Sequence, residues 1–248
     1  MYNPFSLEGK TVLVTGASSG IGRAAAIECS RMGATVVLTA RNEERLIQTL
    51  NQCDGENNIF IVADLSDATQ LENLVEQCPK LDGLINNAGF TMTLPVNFIN
   101  REKLSKIFEV NTFAPILLMQ GLLKTKKLSK GSSIVFTDSC AGVFASTIGN
   151  SMYSASKAAI YGFVKNAALD LASKSIRVNA VCPAMVETSI LVNGSIDEIQ
   201  LQLDMAKYPM ERYAKPEEVA YAMIYFLSKA SSFTTGATLV IDGGLTLY

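Results

Sequence analysis

Apolar runs and amphipathic stretches alternate along the chain. Residues 11–15 (TVLVT) form a β-branched run that predicts a buried strand, and the glycine-bearing loop 16–22 follows it. Ile21, Ala25, Cys29 and Met32 then share one helical face, which Gly33 ends. A second strand is predicted over 34–39, after which Asn42 can cap a helix running towards Cys53. The same rhythm predicts strands over 58–63, 82–86, 133–137, 176–181 and 237–241. Helices are predicted over 67–77, 101–124 and 153–173, and Pro216 suits the first turn of another. Strands with continuous apolar runs are buried on both faces. The pattern therefore predicts an α/β fold, a doubly wound, mostly parallel seven-stranded sheet with helices on both faces. No repeat, low-complexity tract or long linker divides it, so residues 1–248 read as a single Rossmann-type domain.

Residues 184–214 break the rhythm. Met185, Ile190, Leu191, Met205, Tyr208 and Met210 occur there without a clear strand, and Ser195 and Glu198 have capping-box spacing, so part of the segment should be helical. The segment follows a strand end, where open α/β sheets bind ligands. Two readings stand: a mobile lid over a substrate, or a packed connecting segment.

Composition narrows the chemistry. Of the 248 residues 48% are hydrophobic, enough for one substantial core. A net charge of −2 gives no reason to expect nucleic acid or an anionic membrane as partner. The short basic stretch of Lys124, Lys126 and Lys127 with Lys130 reads as a solvated helix end. No window approaches the ~18 apolar residues of a membrane span. Residues 1–10 hold no apolar core of signal-peptide length, so the expected compartment is the cytoplasm. The five cysteines are scattered, with no Cys-x-x-Cys pair, and read as reduced thiols. Histidine is absent, which removes His-based zinc sites and every Ser–His or Cys–His nucleophile pair. No catalytic metal is expected.

The loop Gly16-Ala-Ser18-Ser19-Gly20-Ile21-Gly22 lies between a strand and a helix. Its glycines allow a tight turn and close approach of backbone to phosphate, which the N–H groups of the helix N-terminus would then face. Tyr153 and Lys157, four residues apart, share a helix face. A phenol titrates near pH 10 on its own. A neighbouring ammonium would favour the phenolate.

Together these motifs resemble those of the classical short-chain dehydrogenases/reductases. Thr15-Gly16-x-x-x-Gly20-x-Gly22 is similar to the family's cofactor motif and Asn86-Asn87-Ala88-Gly89 to its second signature. Asn111, Ser139 and Tyr153-x-x-x-Lys157 follow in the family's order, and the likeness extends to the Ile241-Asp-Gly-Gly244 end. The resemblance implies catalytic roles for Asn111, Ser139, Tyr153 and Lys157. Tyr153 would exchange a proton with the substrate oxygen and Ser139 would hydrogen-bond that oxygen. Lys157 would hold the nicotinamide ribose, and Asn111 would bind a water leading to solvent. Taken alone, Asn111 reads equally as a helix-bending or capping residue.

The resemblance also implies a cofactor site of Gly16, Ser18, Ser19, Gly20, Ile21, Gly22, Arg41, Asp64, Leu65, Asn87, Ala88, Gly89, Tyr153, Lys157, Pro183, Val186 and Thr188. Two features depart from the family pattern. Tyr153 follows Ser139 by 14 positions, slightly more than usual, so the loop between them should bulge, and Ser146 and Ser151 compete for the serine role. Pro183-Ala184 stands where Pro-Gly is common; alanine is tolerated unless that position needs φ > 0.

No carboxylate follows the second strand, where NAD-preferring members place one. Arg41 stands there, able to pair with a 2′-phosphate unless Glu43 or Glu44 takes it, and NADP(H) is expected over NAD(H). The expected function is an NADP(H)-dependent carbonyl/alcohol oxidoreductase acting on a small-molecule or acyl-thioester carbonyl, with 3-oxoacyl-carrier-protein reduction a candidate. Lys127, Lys130 and Lys174 could meet an acidic carrier protein. The stretch from Phe90 to Leu94 lacks the pattern of the dedicated fatty-acid enzymes, and enoyl reductases of related fold place their lysine further from the tyrosine. The alternatives are an NAD-dependent sugar or polyol dehydrogenase and a catalytically silent nucleotide-binding scaffold. The resemblance implies a homotetramer or homodimer assembled through the two long helices and the last strand.

Overall fold

The computed structural model describes residues 2–188 and 198–247. The strands are β1 (Thr11–Thr15), β2 (Thr35–Ala40), β3 (Ile59–Val62), β4 (Leu81–Asn86), β5 (Leu128–Thr137), β6 (Arg177–Pro183) and β7 (Thr238–Ile241). They form one parallel sheet in the order β3-β2-β1-β4-β5-β6-β7. The chain winds outwards in both directions from β1 and β4. Their carboxyl ends therefore flank the crevice where an open α/β sheet takes a ligand.

Each inner strand is apolar on both sides because each side meets helices. Leu13, Val37, Leu84, Ile134 and Phe136 pack with α3 (Ala68–Gln77), α5 (Ala114–Lys124) and α6 (Ser151–Ala172). The intervening Val12, Val14, Val36, Leu38 and Val135 pack with α1 (Gly20–Arg31) and α8 (Pro216–Leu227) on the opposite face, and Leu46 of α2 (Glu43–Leu50) joins them. The period-2 alternation of side chains divides one continuous apolar run between two cores. Across β5 and β6 the large Phe136 faces the small Ala180, and its ring meets Phe163 edge-on at 5.8 Å.

Local signals set several boundaries. The Asn42 and Asp67 carboxamide and carboxylate accept the N–H groups of Arg45 and Gln70, capping α2 and α3. Pro216 opens α8, where the Glu218 carboxylate accepts the Lys215 N–H at 2.7 Å. The helix expected over 101–124 is instead two, α4 (Arg101–Phe108) and α5, joined by a π turn over Glu109–Phe113. The π turn is held by Asn111 bonding Phe90, a contact distant in the sequence, so the local pattern gives no sign of it. β5 begins at Leu128, earlier than expected, because Leu128 pairs with Leu81 ahead of a register shift.

Around the irregular segment, Val186 and Ala214 bridge. The Glu187 N–H donates to Ala214 O at 2.9 Å and the Ala214 N–H to Met185 O at 3.1 Å. Tyr208 and Tyr213 are buried, their rings edge-to-face at 5.4 Å. The described part includes α7 (Glu198–Met205), in line with the expected helix. Ser195, Ile190 and Leu191 lie outside the described residues. Ala184 has no positive φ, so the alanine found in place of glycine fits its backbone. Among the described residues no helix is long and apolar enough to cross a membrane.

Candidate active site

The loop after β1 is shaped by contacts made before any ligand is considered. The Thr15 hydroxyl accepts the N–H groups of Asn87 (2.9 Å) and Ala88 (3.0 Å) and donates to Ile85 O (3.3 Å). It locks the second signature against the first. The Asn87 amide donates to Thr15 O at 3.2 Å and accepts from the Thr137 hydroxyl at 3.2 Å, tying in β5. Arg23 donates to Ser18 O at 2.8 Å and to the Thr49 hydroxyl at 3.1 Å, holding the loop's far side. Gly16 has φ +67° and Gly20 φ +52°, conformations that a side chain disfavours.

This cradle fits a pyrophosphate. The first turn of α1 contains no acidic residue, and Ser19 precedes it without a side-chain cap. Its leading N–H groups are therefore open to an outside acceptor, with the helix dipole favouring an anion. A β-carbon on Gly20 would lie 3.0 Å from Thr188 Cγ2, so Thr188 covers the glycine loop. Gly16, Gly20, Gly22, Asn87, Ala88, Gly89 and Thr188 are thus gathered at one place, with Ser18, Ser19 and Ile21 on the loop itself. Pro183 ends β6 nearby, its carbonyl accepting the Cys140 N–H at 3.2 Å.

Leu65 and Val186 are buried, one in each core, so their side chains serve packing and only their backbones can face a ligand. Arg41 lies at the end of β2 and is 77% exposed; neither Glu43 nor Glu44 pairs with it, and its ion-pair contact is a loose one of 3.9 Å to Asp64. Asp64 also accepts the Ser66 hydroxyl at 2.7 Å and N–H at 3.0 Å. Burial opposes its ionisation, but Ser66 and Arg41 outweigh it and hold the carboxyl below its usual range.

Ser139, Tyr153 and Lys157 meet beyond the end of β5. Ser139 is buried, whereas Ser146 and Ser151 are exposed. In the loop between Ser139 and Tyr153 the Ala145 N–H returns to Cys140 O at 2.8 Å, and the Leu94 N–H donates to Gly149 O at 2.7 Å. Lys157, 5% exposed, donates to Thr137 O at 2.7 Å, and its ammonium lies 5.9 Å from the centre of the Tyr153 ring.

Asn111 sits in the π turn with three side-chain hydrogen bonds. Its oxygen accepts the Phe90 N–H at 3.0 Å. Its nitrogen donates to Phe90 O at 3.0 Å and to the Ser156 hydroxyl at 3.1 Å. The Ser156 hydroxyl donates to the main-chain carbonyl of Tyr153 at 2.7 Å. Both single-residue readings of Asn111 have substance, since it marks the bend and also ties α4–α5 to the α6 turn bearing Tyr153. A β-carbon on Gly89 would fall 3.1 Å from Asn111 Oδ1 and 3.6 Å from Lys157 Nζ, so both crowd the second signature.

The electrostatics differ from the simplest expectation. Burial pushes the Tyr153 phenol above its usual value; Ser139 opposes this, while the Asp138 charge adds to it. Burial likewise pushes the Lys157 ammonium down, against the pull of Asp138. The expected lowering by Lys157 is not among the influences on the phenol; its ammonium bonds the Thr137 carbonyl. Reading for motifs missed Thr15, Arg23, Asp138 and Ser156 as contributors. Only Thr15 carried a signal, as part of the glycine motif.

The comparisons with known proteins agree with this architecture. A family model described as enoyl-(acyl carrier protein) reductase matches residues 16–246. The chain is 34% identical over 240 residues to the 3-oxoacyl-[acyl-carrier-protein] reductase of Rickettsia bellii, covering 96% of this chain and 98% of that protein. A solved putative short-chain alcohol dehydrogenase from Sinorhizobium meliloti superposes with a TM-score of 0.92 at 28% identity, covering 98% of each chain. A putative NAD(P)-dependent gluconate 5-dehydrogenase from Beutenbergia cavernae, solved with bound NADP, superposes with a TM-score of 0.90 at 29% identity, covering 99% of this chain and 100% of that one. With these matches spanning nearly the whole chain and the motifs gathered at the crevice, the protein is an oxidoreductase of the short-chain dehydrogenase/reductase family.

Proposed function

We propose that the protein is an NADP(H)-dependent carbonyl reductase in which Tyr153 exchanges a proton with the substrate oxygen. The observation that carries this reading is the convergence of Ser139, Tyr153 and Lys157 beside the glycine cradle. The nicotinamide, when bound, supplies or accepts the hydride and, in its oxidised form, a positive charge that favours the phenolate. Ser139 orients the carbonyl oxygen by a hydrogen bond. Tyr153 protonates that oxygen in reduction and takes the proton back in oxidation. Lys157 holds the ribose. Because both N–H donors of the Asn111 amide are committed, a water leading from Lys157 to solvent would donate to an oxygen of this residue, Oδ1 or the main-chain carbonyl. A binding-only scaffold has no use for a buried phenol at this position.

Arg41 supports NADP(H) over NAD(H): it is exposed, loosely paired and placed where the ribose 2′ substituent of a dinucleotide lies in this fold. The NADP-bound neighbour supports the same choice. The four-residue spacing of Tyr153 and Lys157 favours a carbonyl over an enoyl substrate.

An acyl-thioester ketone is the leading substrate class, on the names of the curated relatives. The lysines considered for a carrier lend no support to it: Lys124, Lys126, Lys130 and Lys174 surround Leu128 and Ile176 at the amino ends of β5 and β6, the end of the sheet opposite Ser139 and Tyr153. A sugar-acid ketone is the second reading, favoured by the neighbour named as a gluconate dehydrogenase. Residues 184–214 act as a lid whose ends are pinned at Met185 and Ala214. The protein works in the cytoplasm as a homotetramer or homodimer.

The test is a fluorescence titration with NADPH and NADH, followed by a panel of 3-oxoacyl thioesters and sugar-acid ketones. NADPH should bind more tightly, and one class should be reduced by the wild type but not by Tyr153→Phe. Undiminished turnover by Tyr153→Phe would remove the mechanism, and tighter NADH binding would remove the role given to Arg41.

A further inference from the structure

Immediately before Ser139 stands a carboxyl group to which the mechanism above gives no part. Asp138 is 1% exposed, and among the described residues neither of its oxygens accepts a hydrogen bond of sound geometry. Its backbone is fixed, since the Asp138 N–H donates to Val181 O at 2.8 Å. The carbonyl of the same peptide group, Thr137 O, holds the Lys157 ammonium. A buried carboxylate offered only the loose approach of the Cys182 thiol and the Ser139 N–H is costly and persists only near a compensating cation. Lys157 is the cation whose field it shares, and that ammonium has spent only one of its donors on protein.

We propose that Asp138 is a positioning residue: its buried carboxylate, one residue beyond the carbonyl that holds Lys157, keeps Tyr153 as the protonated phenol and so favours its use as the acid in carbonyl reduction. The inference rests on the reading of Tyr153 given above. The ionisable groups around Asp138 are few. Lys157 and Tyr153 face it from α6, Cys182 from β6 and Cys140 from its own loop, with Asp242 beyond Cys140. Both thiols are pushed upward by burial, Cys140 to about 12 and Cys182 further, so they stay neutral at physiological pH. The charge balance then runs through three groups. With Asp138 ionised, the Lys157–Asp138 pair is neutral, and forming tyrosinate leaves a net negative charge in a buried place. Without that carboxylate, tyrosinate would instead neutralise Lys157. Coulombic cost therefore opposes phenolate formation only while Asp138 is charged.

The experiment needs no substrate. Tyrosinate absorbance near 295 nm is followed from pH 7 to 11, with circular dichroism at each point marking the range in which the protein stays folded. Subtracting the titration of Tyr153→Phe isolates Tyr153. The same subtraction is made in Asp138→Asn, against the double variant, and in Asp138→Ser in case the amide disturbs the fold. The expected result is a Tyr153 step about one pH unit lower in both Asp138 variants, the order of effect of one nearby like charge. A Tyr153 step that is unmoved, higher, or not seen in the folded range of either variant overturns the proposal. Turnover by Tyr153→Phe alone decides the catalytic reading separately: if Tyr153→Phe is inactive while the titration is unmoved, only the role of Asp138 fails.

Discussion

Gly22→Ala tests whether the cradle is set by close backbone packing. Gly22 lies in the first turn of α1 and has no positive φ, so backbone strain is not at issue. A β-carbon there would lie 2.7 Å from the Gly16 carbonyl carbon, 2.5 Å from Asn87 Nδ2, and in still closer conflict with Gly16 O. Non-bonded carbon contacts are comfortable at about 3.5–4.0 Å, so one side must retreat by about 1 Å. The Asn87 amide can yield only by giving up Thr15 O and the Thr137 hydroxyl. Gly16 can yield only by distorting the turn that faces the phosphate. Overpacking of this kind costs about 1–3 kcal/mol. In a domain of this size that lowers Tm by about 3–10 °C. Displacing the phosphate-facing N–H groups should also weaken NADPH binding at least about tenfold. Differential scanning fluorimetry and fluorescence titration read the two effects. A Gly22→Ala protein with unchanged Tm and NADPH affinity would show that the loop is pliant, and the packing argument for the motif would be wrong.

Three further outcomes are expected. Arg41→Ala should raise KM for NADPH about 10–100-fold, the worth of a charge-assisted contact to phosphate, and leave KM for NADH nearly unchanged; equal effects on both would assign Arg41 to general electrostatics. Phe136→Ala removes a ring that is 1% exposed and stacked edge-on with Phe163, and should cost about 3–5 kcal/mol in urea unfolding; a loss under 1 kcal/mol would mean that the core collapses around it. Burial raises the Asp138 carboxyl from 3.8 to about 6. The folded state therefore favours its protonated form: that stability is fully present below about pH 4 and is lost as pH rises through about 6. Asp138→Asn should accordingly be more stable than wild type at pH 7.5 by up to about 3 kcal/mol, less whatever Lys157 loses with its counter-charge, and show no gain at pH 4; a gain that does not depend on pH would contradict this.

What the sequence disclosed and what it withheld divide along a physical line. The strands and the helices covering both their faces were legible because burial on both faces writes continuous apolar runs such as Val12–Val14 and Ile134–Phe136; the order of the strands was not, because an apolar run does not say which strand lies beside it. The cradle was legible because glycine there answers a steric need, as at Gly16 and Gly22. The π turn was not, since Asn111 bends α4–α5 through its bonds to Phe90, 21 residues away, a contact that no local pattern encodes. Asp138 escaped for a related reason. Between Thr137 and Ser139 it reads as one more polar residue at a strand end, and only the sheet places Val181 against its N–H and the Lys157 ammonium on the neighbouring carbonyl. Motifs mark residues that touch the cofactor, because those are held to one chemistry at one spacing. Residues that set the charge around them can come from any element that packs nearby. Asp138 is of this second kind: no motif holds it, and it bears on the proposed proton exchange only through the fold that brings it near Lys157.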